Sequence, residues 1–349
     1  MLLGRLHARR DAAACPHPNP PPLRKGGNRK ARWLSVLASV FLLPVASIAE
    51  PLPTSDQNPF LASIGLPAPL PALTAGQTQV TATLNWASTA IVDVVGNELF
   101  ILDAETRELR MSVTHAFENR VAVRVELPYQ YTGPGVLDGF IDDFHDVFGF
   151  SEGDRPLFRR DEMLAWYRRS GQQSYVTRTT STTGIGDLMV SLAGTWVQSD
   201  KSSLVTWLSL EAPTGANDAY LAPDDDWNLS ATVSAEHRLG SRWLTFAQVS
   251  ATGHTGDGVF DDQKAVIWSG FAGVQFDVTS KVGLVVQAQA HTKPIKHTDV
   301  DYFGDAVILT VGGRIQASDA LAIHLGVSED LKVEASPDVV FVLGLSTSW

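Results

Sequence analysis

Cysteine is almost missing from this chain: of its 349 residues, only Cys15 is one. A single cysteine excludes a disulfide scaffold and any metal cluster built on several thiolates. Charged residues are also scarce, at 19% of the chain against about 25% in soluble domains. Long apolar runs are limited to residues 33–49, which excludes a membrane protein made of several spanning helices.

The start of the chain has the layout of a secretory signal peptide. A basic stretch at residues 24–32 precedes the apolar residues 33–45, and Ser47-Ile48-Ala49 then fits the small-x-small cleavage pattern. We expect cleavage after Ala49, so that residues 1–49 are removed and Glu50 begins the mature protein. An uncleaved anchor helix is the alternative.

The residues on either side of the signal differ from it in composition. Residues 1–23 do not resemble a signal, and they indicate a translation start further downstream. Residues 50–76 are rich in proline and predict a periplasmic lead-in, that is, a linker or plug segment rather than a domain.

Charge is unevenly distributed along the chain. Of the 27 basic and 38 acidic residues, eight basic and one acidic lie in residues 1–49, so the remainder holds 19 basic against 37 acidic residues. Such an acidic body would repel phosphates, which excludes a nucleic-acid partner.

Residues 77–349 alternate between apolar and polar side chains. In residues 79–86 (QVTATLNW), for example, one face is apolar and the other polar, which predicts a strand with one buried face. The predicted strands have about 10 residues, enough to cross a bilayer when tilted. Short polar turns alternate with long, acidic, glycine-rich loops, as in bacterial outer-membrane barrels.

These features predict an all-β fold, a transmembrane antiparallel up-and-down β-barrel of about twelve strands in the cell outer membrane. The lipid-facing row is ambiguous in three strands, at residues 203–212, 243–252 and 264–277, because Trp207, Ile267 and Phe271 compete with the opposite face. The expected strands are residues 78–87, 106–117, 121–131, 184–196, 203–212, 226–237, 243–252, 264–277, 281–292, 304–317, 321–330 and 338–349.

The last strand ends in an aromatic residue. Phe341 and Trp349 lie on the same apolar row of the strand that closes the chain. This pattern is similar to the terminal signal by which outer-membrane barrels are recognised for assembly. It predicts the barrel-assembly machinery as a partner, together with outer-membrane lipid and lipopolysaccharide.

Several short motifs carry a family resemblance. Asn58-Pro59-Phe60, Glu108-Leu109-Arg110, residues 137–155 and the closing Ser328-Glu329-Asp330 and Ser336-Pro337-Asp338 resemble an uncharacterised Gram-negative envelope family, catalogued as domain of unknown function 3187. The resemblance covers most of the mature chain and implies an outer-membrane barrel without a known substrate. A weaker similarity, in residues 184–187 and 210–215, is to barrels encoded with aromatic-degradation pathways.

In one long connection, residues 133–174, the spacing of the apolar residues predicts a short amphipathic helix. It is either a constriction folded into the barrel mouth or a helix packed on the loop base. His145 beside acidic neighbours could hold a metal, but a solvated acidic face is the favoured interpretation, and neither metal nor cofactor is expected. The candidate constriction residues are Asp138, Phe140, Phe144, His145 and Phe148.

Charged and polar side chains on the strands predict the lumen. Arginines in lipid would cost roughly 2–4 kcal/mol each, so they are expected to face inward. The predicted lumen-lining residues are Arg110, Arg124, Glu126, Asn228, Glu236, Gln287, His291, Arg314 and His324.

Three functions are compatible with such a barrel. We expect a narrow channel for passive uptake of a small solute, with a structural or surface-interaction barrel as the alternative and an outer-membrane lipid hydrolase as the third. No G-x-S-x-G, H-E-x-x-H or P-loop motif is present, so no catalytic residue is predicted and the chain is not expected to be an enzyme.

Overall fold

The computed structural model describes residues 51–148, 153–169, 174–332 and 335–349. The predicted signal peptide, its cleavage site and Glu50 lie outside the described residues. The structure contains one α-helix, α1 (Asp138–Phe148), and short 3-10 turns in the long loops. Its strands are β1 (Thr78–Val95), β2 (Glu98–Ala116), β3 (Val121–Gly133), β4 (Leu164–Arg169), β5 (Ser174–Arg178), β6 (Thr182–Ile185), β7 (Leu188–Gln198), β8 (Ser202–Ala212), β9 (Asn228–Leu239), β10 (Trp243–His254), β11 (Val266–Asp277), β12 (Val282–His291), β13 (Ala306–Gln316), β14 (Leu321–Asp330) and β15 (Val339–Ser348).

Twelve of these strands, β1 to β3 and β7 to β15, form a closed antiparallel barrel. Sequential strands pair with one another, and β1 pairs with β15 from Gln79–Ser348 to Ser88–Val339, which closes the wall. Closure leaves no unpaired strand edge in lipid. The predicted all-β barrel of about twelve strands with one short helix is therefore confirmed.

The first hairpin is longer than predicted. β1 and β2 have 18 and 19 residues and pair continuously up to Val95 and Glu98, so residues 88–95 and 98–105 form strand and only a two-residue turn joins them. Short strands β4 and β5 extend the sheet beside β2, and β6 pairs with β3. Alternation predicted none of these short strands, because four to six residues are too few to establish a period.

The two faces of the wall differ in polarity. Along β9, the side chains of Ser230 and Thr232 are buried inside, whereas Leu229 and Val233 are about half exposed on the outside, as expected for a lipid-facing row. Trp207 in β8 and Ile267 and Phe271 in β11 are buried on the inward row, as are Leu244 and Phe246 in β10, the third ambiguous strand. These strands therefore carry apolar residues on both faces.

Outward-facing aromatic residues form a belt at each end of the barrel. One belt lies at the end with the short turns, which is the periplasmic end in outer-membrane barrels, and the other at the end with the long loops. Beyond the outer belt, residues 88–105 project above the membrane. The periplasmic belt contains Phe117, Trp196, Trp243, Phe276 and Trp349, and the outer belt Trp86, Tyr129, Trp227 and Trp268.

Residues 51–74, here called the plug segment, lie inside the barrel. Leu52, Phe60 and Ile64 are fully buried against inward-facing side chains. The segment rises from the lower lumen to the outer mouth, turns at residues 56–64, and descends to the periplasmic end, where Gly76 donates a backbone hydrogen bond to Ala116. The sequence left open a linker or a plug, and in the structure the segment lies in the lumen: prolines prevent regular structure here, but the segment still buries its apolar residues.

Candidate functional site

Two glutamines of the wall bind the plug segment through its backbone. The Gln287 side chain accepts a hydrogen bond from the N–H of Leu52 at 3.0 Å and donates one to its carbonyl oxygen at 3.1 Å. Gln248 accepts from the N–H of Leu70 at 3.0 Å and donates to the carbonyl of Ala68 at 3.2 Å. A primary amide has one acceptor and two donors, so each glutamine substitutes for a neighbouring strand. The two glutamines hold both legs of the plug segment.

Polar contacts also fix the turn of the plug segment. The imidazole of His291 lies 2.9 Å from a carboxylate oxygen of Asp56, and both side chains are buried. Arg110 donates to the hydroxyl of Ser55 at 3.1 Å. Asn228 donates to the carbonyl of Ser63 at 2.9 Å.

Apolar seats in the wall receive the plug segment. Leu52 packs with the inward residues Leu244, Phe246 and Val285. At Gly326, a Cβ would lie only 3.1 Å from a methyl carbon of Leu52, so a larger residue there would push Leu52 away. The inward apolar residues that obscured the alternation thus belong to the surface of the wall that contacts the plug segment. In the second leg of the plug segment, for example, Leu70 and Leu73 cluster with Trp207.

An aromatic cluster closes the outer mouth around Phe60. The ring of Phe60 lies 5.4 Å from that of Phe100 and 5.5 Å from that of Phe303, both edge to face, and 6.2 Å from Phe260. Phe260 has a φ of 61°, in the left-handed region that bulky residues rarely adopt. Its ring also contacts Tyr167 at 5.2 Å. The turn of the plug segment is therefore held by residues from several outer loops.

A polar network ties the same loops together. Glu98, at the tip of the first hairpin, accepts hydrogen bonds from the Tyr167 hydroxyl at 2.6 Å, from Arg169 at 3.1 Å and from the N–H of Asp299 at 2.7 Å. Arg169 also lies 3.5 Å from Asp262, which belongs to the β10–β11 loop. These ion pairs join three outer loops over the lumen.

Two cavities remain between the plug segment and the wall. The outer chamber, of about 50 Å³, lies between the turn of the plug segment and strands β2, β3, β7 and β8. The lower cavity, also about 50 Å³, lies between the legs of the plug segment and strands β1, β3, β14 and β15. Both therefore border β3. The polar lining includes Glu108, Arg110, Glu126, Asp187 and Glu211 in the outer chamber, and Arg124, His324 and Ser346 in the lower cavity.

A row of alternating charges separates the two cavities. Glu108 and Arg110 lie 2.8 Å apart, Arg110 and Glu126 3.7 Å, and Glu126 and Arg124 2.5 Å. We call this row the ion ladder. Arg110 faces the outer chamber and Arg124 the lower cavity, so the ladder spans the boundary between them.

The remaining predicted lumen residues lie on the same face of the wall as the ion ladder. His324 is buried and its Nε2 lies 3.0 Å from the hydroxyl of Ser346. Arg314 donates to Gln316 on its own strand. Glu236 is partly buried near the periplasmic end of β9.

Helix α1 lies on the outside of the barrel wall and not in the lumen. Asp138 at its start pairs with Arg155 at 3.4 Å, and Arg155 reaches Ser88 on the outward row of β1. The ring of Phe140 lies 6.2 Å from that of the outward-facing Phe341. The expected constriction is therefore corrected: Glu105, on the outward row of the long first hairpin, accepts hydrogen bonds from the N–H groups of Val136 and Leu137 at the start of the helix. The sequence did not reveal that hairpin. The side chains of Phe144, His145 and Phe148 lie outside the described part of the structure.

The carboxyl of Asp103 lies near the start of the helix, beyond the outer aromatic belt, and is poorly solvated. Burial and the neighbouring Asp138 raise the pKa of Asp103 to about 7, and Arg155 opposes this shift. Because the docked state binds this proton more tightly than a solvated Asp does, docking of the helix is strongest at acid pH. It weakens as the pH rises from about 4 to about 7.

Strand β15 ends where the barrel closes. The N–H of Trp349 donates to the carbonyl of Thr78 at 3.0 Å, and the indole is 69% exposed on the outside at the periplasmic end. Phe341 lies on the same outward row nearer the outer end. Both residues are placed where the assembly-signal hypothesis requires, and that role stays a prediction.

Possible catalytic pairs lie away from the outer interface. Ser202 and His237 lie 2.8 Å apart, as do Thr78 and His115, and both pairs are near the periplasmic end. Within the described residues, no three His, Cys, Asp or Glu side chains are grouped to hold a metal ion. No described helix is long and apolar enough to cross a membrane.

A closed barrel with an apolar outer face, two aromatic belts and a polar lumen is an outer-membrane-type barrel. The chain belongs to the family described as "Protein of unknown function (DUF3187)", which it matches over residues 39–349. It is similar in fold to the crystal structure of the COG4313 outer membrane channel from Pseudomonas putida F1, with 15% identity and a TM-score of 0.54, covering 80% of this chain and 97% of that one.

More distant likenesses are also to outer-membrane barrels. The NanC porin has 7% identity and a TM-score of 0.45, covering 77% of this chain and 98% of its own. The toluene transporter TodX of P. putida has 9% identity and a TM-score of 0.35, covering 78% and 89%. No curated protein matches the chain.

Proposed function

We propose that this protein is a narrow channel for the passive uptake of small solutes across the outer membrane of a Gram-negative cell, closed at rest by the plug segment. The observation that supports this most is the arrangement of the lumen. Two cavities beside the plug segment both border β3, and the ion ladder lies between them. A barrel that served only as a scaffold could fill this space with side chains, as eight-stranded barrels do.

The size of the barrel makes the plug segment necessary for closure. Twelve strands about 4.8 Å apart and tilted by about 40° enclose a backbone cylinder of about 12 Å radius. Wall side chains alone would leave an aqueous opening at this radius. The two legs of the plug segment occupy that opening, so a solute can pass only along β3 or after the plug segment moves.

The plug segment is suited to reversible movement. Its backbone is held by side chains of the wall, and the strands that form the barrel do not include it. Its displacement would leave the strand pairs of the barrel intact. In this proposal the ion ladder and the other lumen residues, including Glu236 and Arg314, line the path.

Single-channel recording in planar bilayers tests the proposal. We expect small or infrequent conductance steps from the mature protein and steps at least several-fold larger from a variant lacking residues 51–74. A variant lacking residues 139–147 of helix α1 is the control and should conduct as the intact protein does, because the helix is outside the wall. If neither the intact protein nor the plug deletion conducts ions or takes up small solutes, the channel proposal fails and a structural barrel replaces it.

The proposed partners follow from the surface. The outward apolar row and aromatic belts would contact outer-membrane lipid, and the outer loops would meet lipopolysaccharide. Trp349, at the end of β15, would be recognised by the barrel-assembly machinery. Hydrolysis of phospholipid by the refolded protein would instead favour the lipid hydrolase.

A further inference from the structure

The plug segment carries a single charged side chain. Asp56 is the only Asp, Glu, Lys or Arg in residues 51–74, which also contain no histidine, tyrosine or cysteine. Its side chain is 4% exposed and lies against the imidazole of His291, which is 1% exposed at the outer end of β12. The turn of the plug segment is therefore joined to the wall by one buried pair of groups that can gain or lose a proton.

Both ring nitrogens of His291 face hydrogen-bond acceptors. Nε2 lies 2.9 Å from Oδ2 of Asp56, and Nδ1 lies 3.1 Å from the carbonyl oxygen of Thr292. A neutral imidazole has one N–H donor, whereas an imidazolium has two. With a neutral ring and an ionised carboxylate, one of these two contacts would place two acceptors against each other. The docked arrangement therefore contains one additional proton, shared between Nε2 and the Asp56 carboxylate.

Loss of that proton would leave the Asp56 carboxylate with neutral donors. Its other oxygen, Oδ1, accepts a hydrogen bond from the N–H of Asn58 at 3.0 Å. A buried carboxylate without a counter-charge is costly, so the docked turn would lose stability. Asp56 borders the outer chamber, and both groups are solvated once the turn leaves the wall. Undocking thus removes the cost of the missing proton.

The titratable groups that face this pair from other elements are mostly acidic. Asp305, in the β12–β13 loop, adds negative charge near His291, and β11 places the uncharged Ser269 opposite it. Arg110 of β2 already pairs with two glutamates of the ion ladder. The negative surroundings therefore favour retention of the proton. Besides Asp305 and Arg110, the groups facing the pair are Tyr302 of the β12–β13 loop and, around the outer chamber, Glu108, Glu126, Asp187 and Glu211.

We propose that the Asp56–His291 pair is a proton-dependent latch, which holds the plug turn on the wall while the pair carries its proton and releases it more readily when the proton is lost. The inference rests on the proposed function for its physiological meaning, since a channel closed by the plug segment would open more often as the pH rises. The docking of the turn can be measured without any conduction.

The direction of the pH dependence follows from proton linkage. In the undocked state His291 lies in an open lumen and loses its proton at about pH 6.5, the ordinary value for an imidazole. Below that pH both states carry the proton, and docking has its full strength. Above it, the docked pair keeps a proton that the undocked state has lost, so the docking constant falls by at most about tenfold per pH unit. The fall ends where the docked pair also loses its proton.

Hydrogen exchange in the detergent-solubilised mature barrel tests the latch. The reporters are backbone amides that are hydrogen-bonded within the plug turn. Their protection factors, which are corrected for the intrinsic rise of amide exchange with pH, should fall by about tenfold or more between pH 6 and pH 9. The reporter amides are those of Asn58, Phe60, Leu61 and Ile64.

Two variants remove the proton from the latch, and a third is the matched control. His291→Gln keeps an N–H donor for Asp56 that does not titrate, and Asp56→Asn removes the carboxylate that requires a charged partner. Each should abolish the fall in protection. His324→Gln removes another buried histidine of the inner wall, which lines the lower cavity beside Pro53 and faces no charge of the plug segment. Its fall should equal that of the wild type.

The outcomes separate the latch from the channel. A flat profile in the wild type overturns the inference. A fall of wild-type size in a His291→Gln or Asp56→Asn barrel that is still heat-modifiable on gels overturns it too, as does loss of the fall in His324→Gln. In planar bilayers, the open probability of the wild type should rise between pH 6 and pH 9 and that of His291→Gln should not. A pH-dependent turn in a barrel that never conducts would refute the channel and retain the latch, whereas conduction with a pH-independent turn would refute the latch alone.

Discussion

Replacing Gln248 and Gln287 together by alanine should release the plug segment. Each glutamine side chain makes two hydrogen bonds to the backbone of the plug segment: Gln287 to Leu52, and Gln248 to Ala68 and Leu70. At a net value of about 1 kcal/mol per bond, the double variant loses about 4 kcal/mol of docking free energy. Since 1.4 kcal/mol corresponds to a factor of ten, the undocked population should rise by about a thousandfold.

Thiol labelling measures that population. Cys15, which lies in the predicted signal peptide, is the chain's only cysteine, so Ser63→Cys in the mature protein gives a single reporter at a position with 0% exposure. Its maleimide labelling should be slow in the otherwise wild-type barrel and faster by two to three orders of magnitude in the double variant. Gln289→Ala is the control, since Gln289 is buried on the same row of β12 and makes no hydrogen bond to the plug backbone among the described residues. Equal labelling rates in the double variant and the control would refute the docking role of the two glutamines.

Further predictions concern the outer mouth, the helix, barrel closure and the ion ladder. Phe60→Ala should destabilise the plug turn by about 3–5 kcal/mol and increase the time for which single channels are open; an unchanged open time would contradict this. Protection factors for hydrogen exchange in helix α1, which are corrected for the intrinsic rise of amide exchange with pH, should fall between pH 5 and pH 8, and Asp103→Asn should remove that fall; protection factors that do not change with pH in the wild type would refute the buried-carboxyl explanation. Trp349→Asp should lower the assembled fraction in outer-membrane preparations without impairing export, and unchanged levels would argue against the terminal signal. Arg124→Ala should shift reversal potentials towards cation selectivity, since a positive charge leaves the path; an unshifted potential would place the path elsewhere.

The barrel wall could be predicted because it follows one simple period. Long alternating strands and short turns at one end establish the strand count, and the polar row identifies residues such as Arg124 and Gln287 as inward. Strands β4 to β6 were missed because they are short and form only beside residues distant in sequence. Helix α1 was found by its 3.6-residue period, but the period does not say where the helix lies. Its position depends on the contacts between its start and the long first hairpin.

The plug segment could not be placed from its own sequence. A proline-rich segment shows neither the two-residue period of a strand nor the 3.6-residue period of a helix. Nothing local therefore distinguishes a linker from a segment buried in a lumen. The indirect signal was in the wall: Trp207, Ile267 and Phe271 put apolar side chains on a row that should be polar in a water-filled barrel. Residues of this kind indicate that something apolar occupies the lumen.

The path of the plug segment has a topological consequence. Both of its ends lie towards the periplasmic end, and its turn alone reaches the outer mouth, so the segment is inserted but not threaded through the barrel. An inserted hairpin can enter after the wall has closed, and it can be withdrawn through the opening by which it entered. A pulling force applied from the periplasm to the mature amino terminus would act on hydrogen bonds to side chains one after another, while the β1–β15 seam carried none of the load.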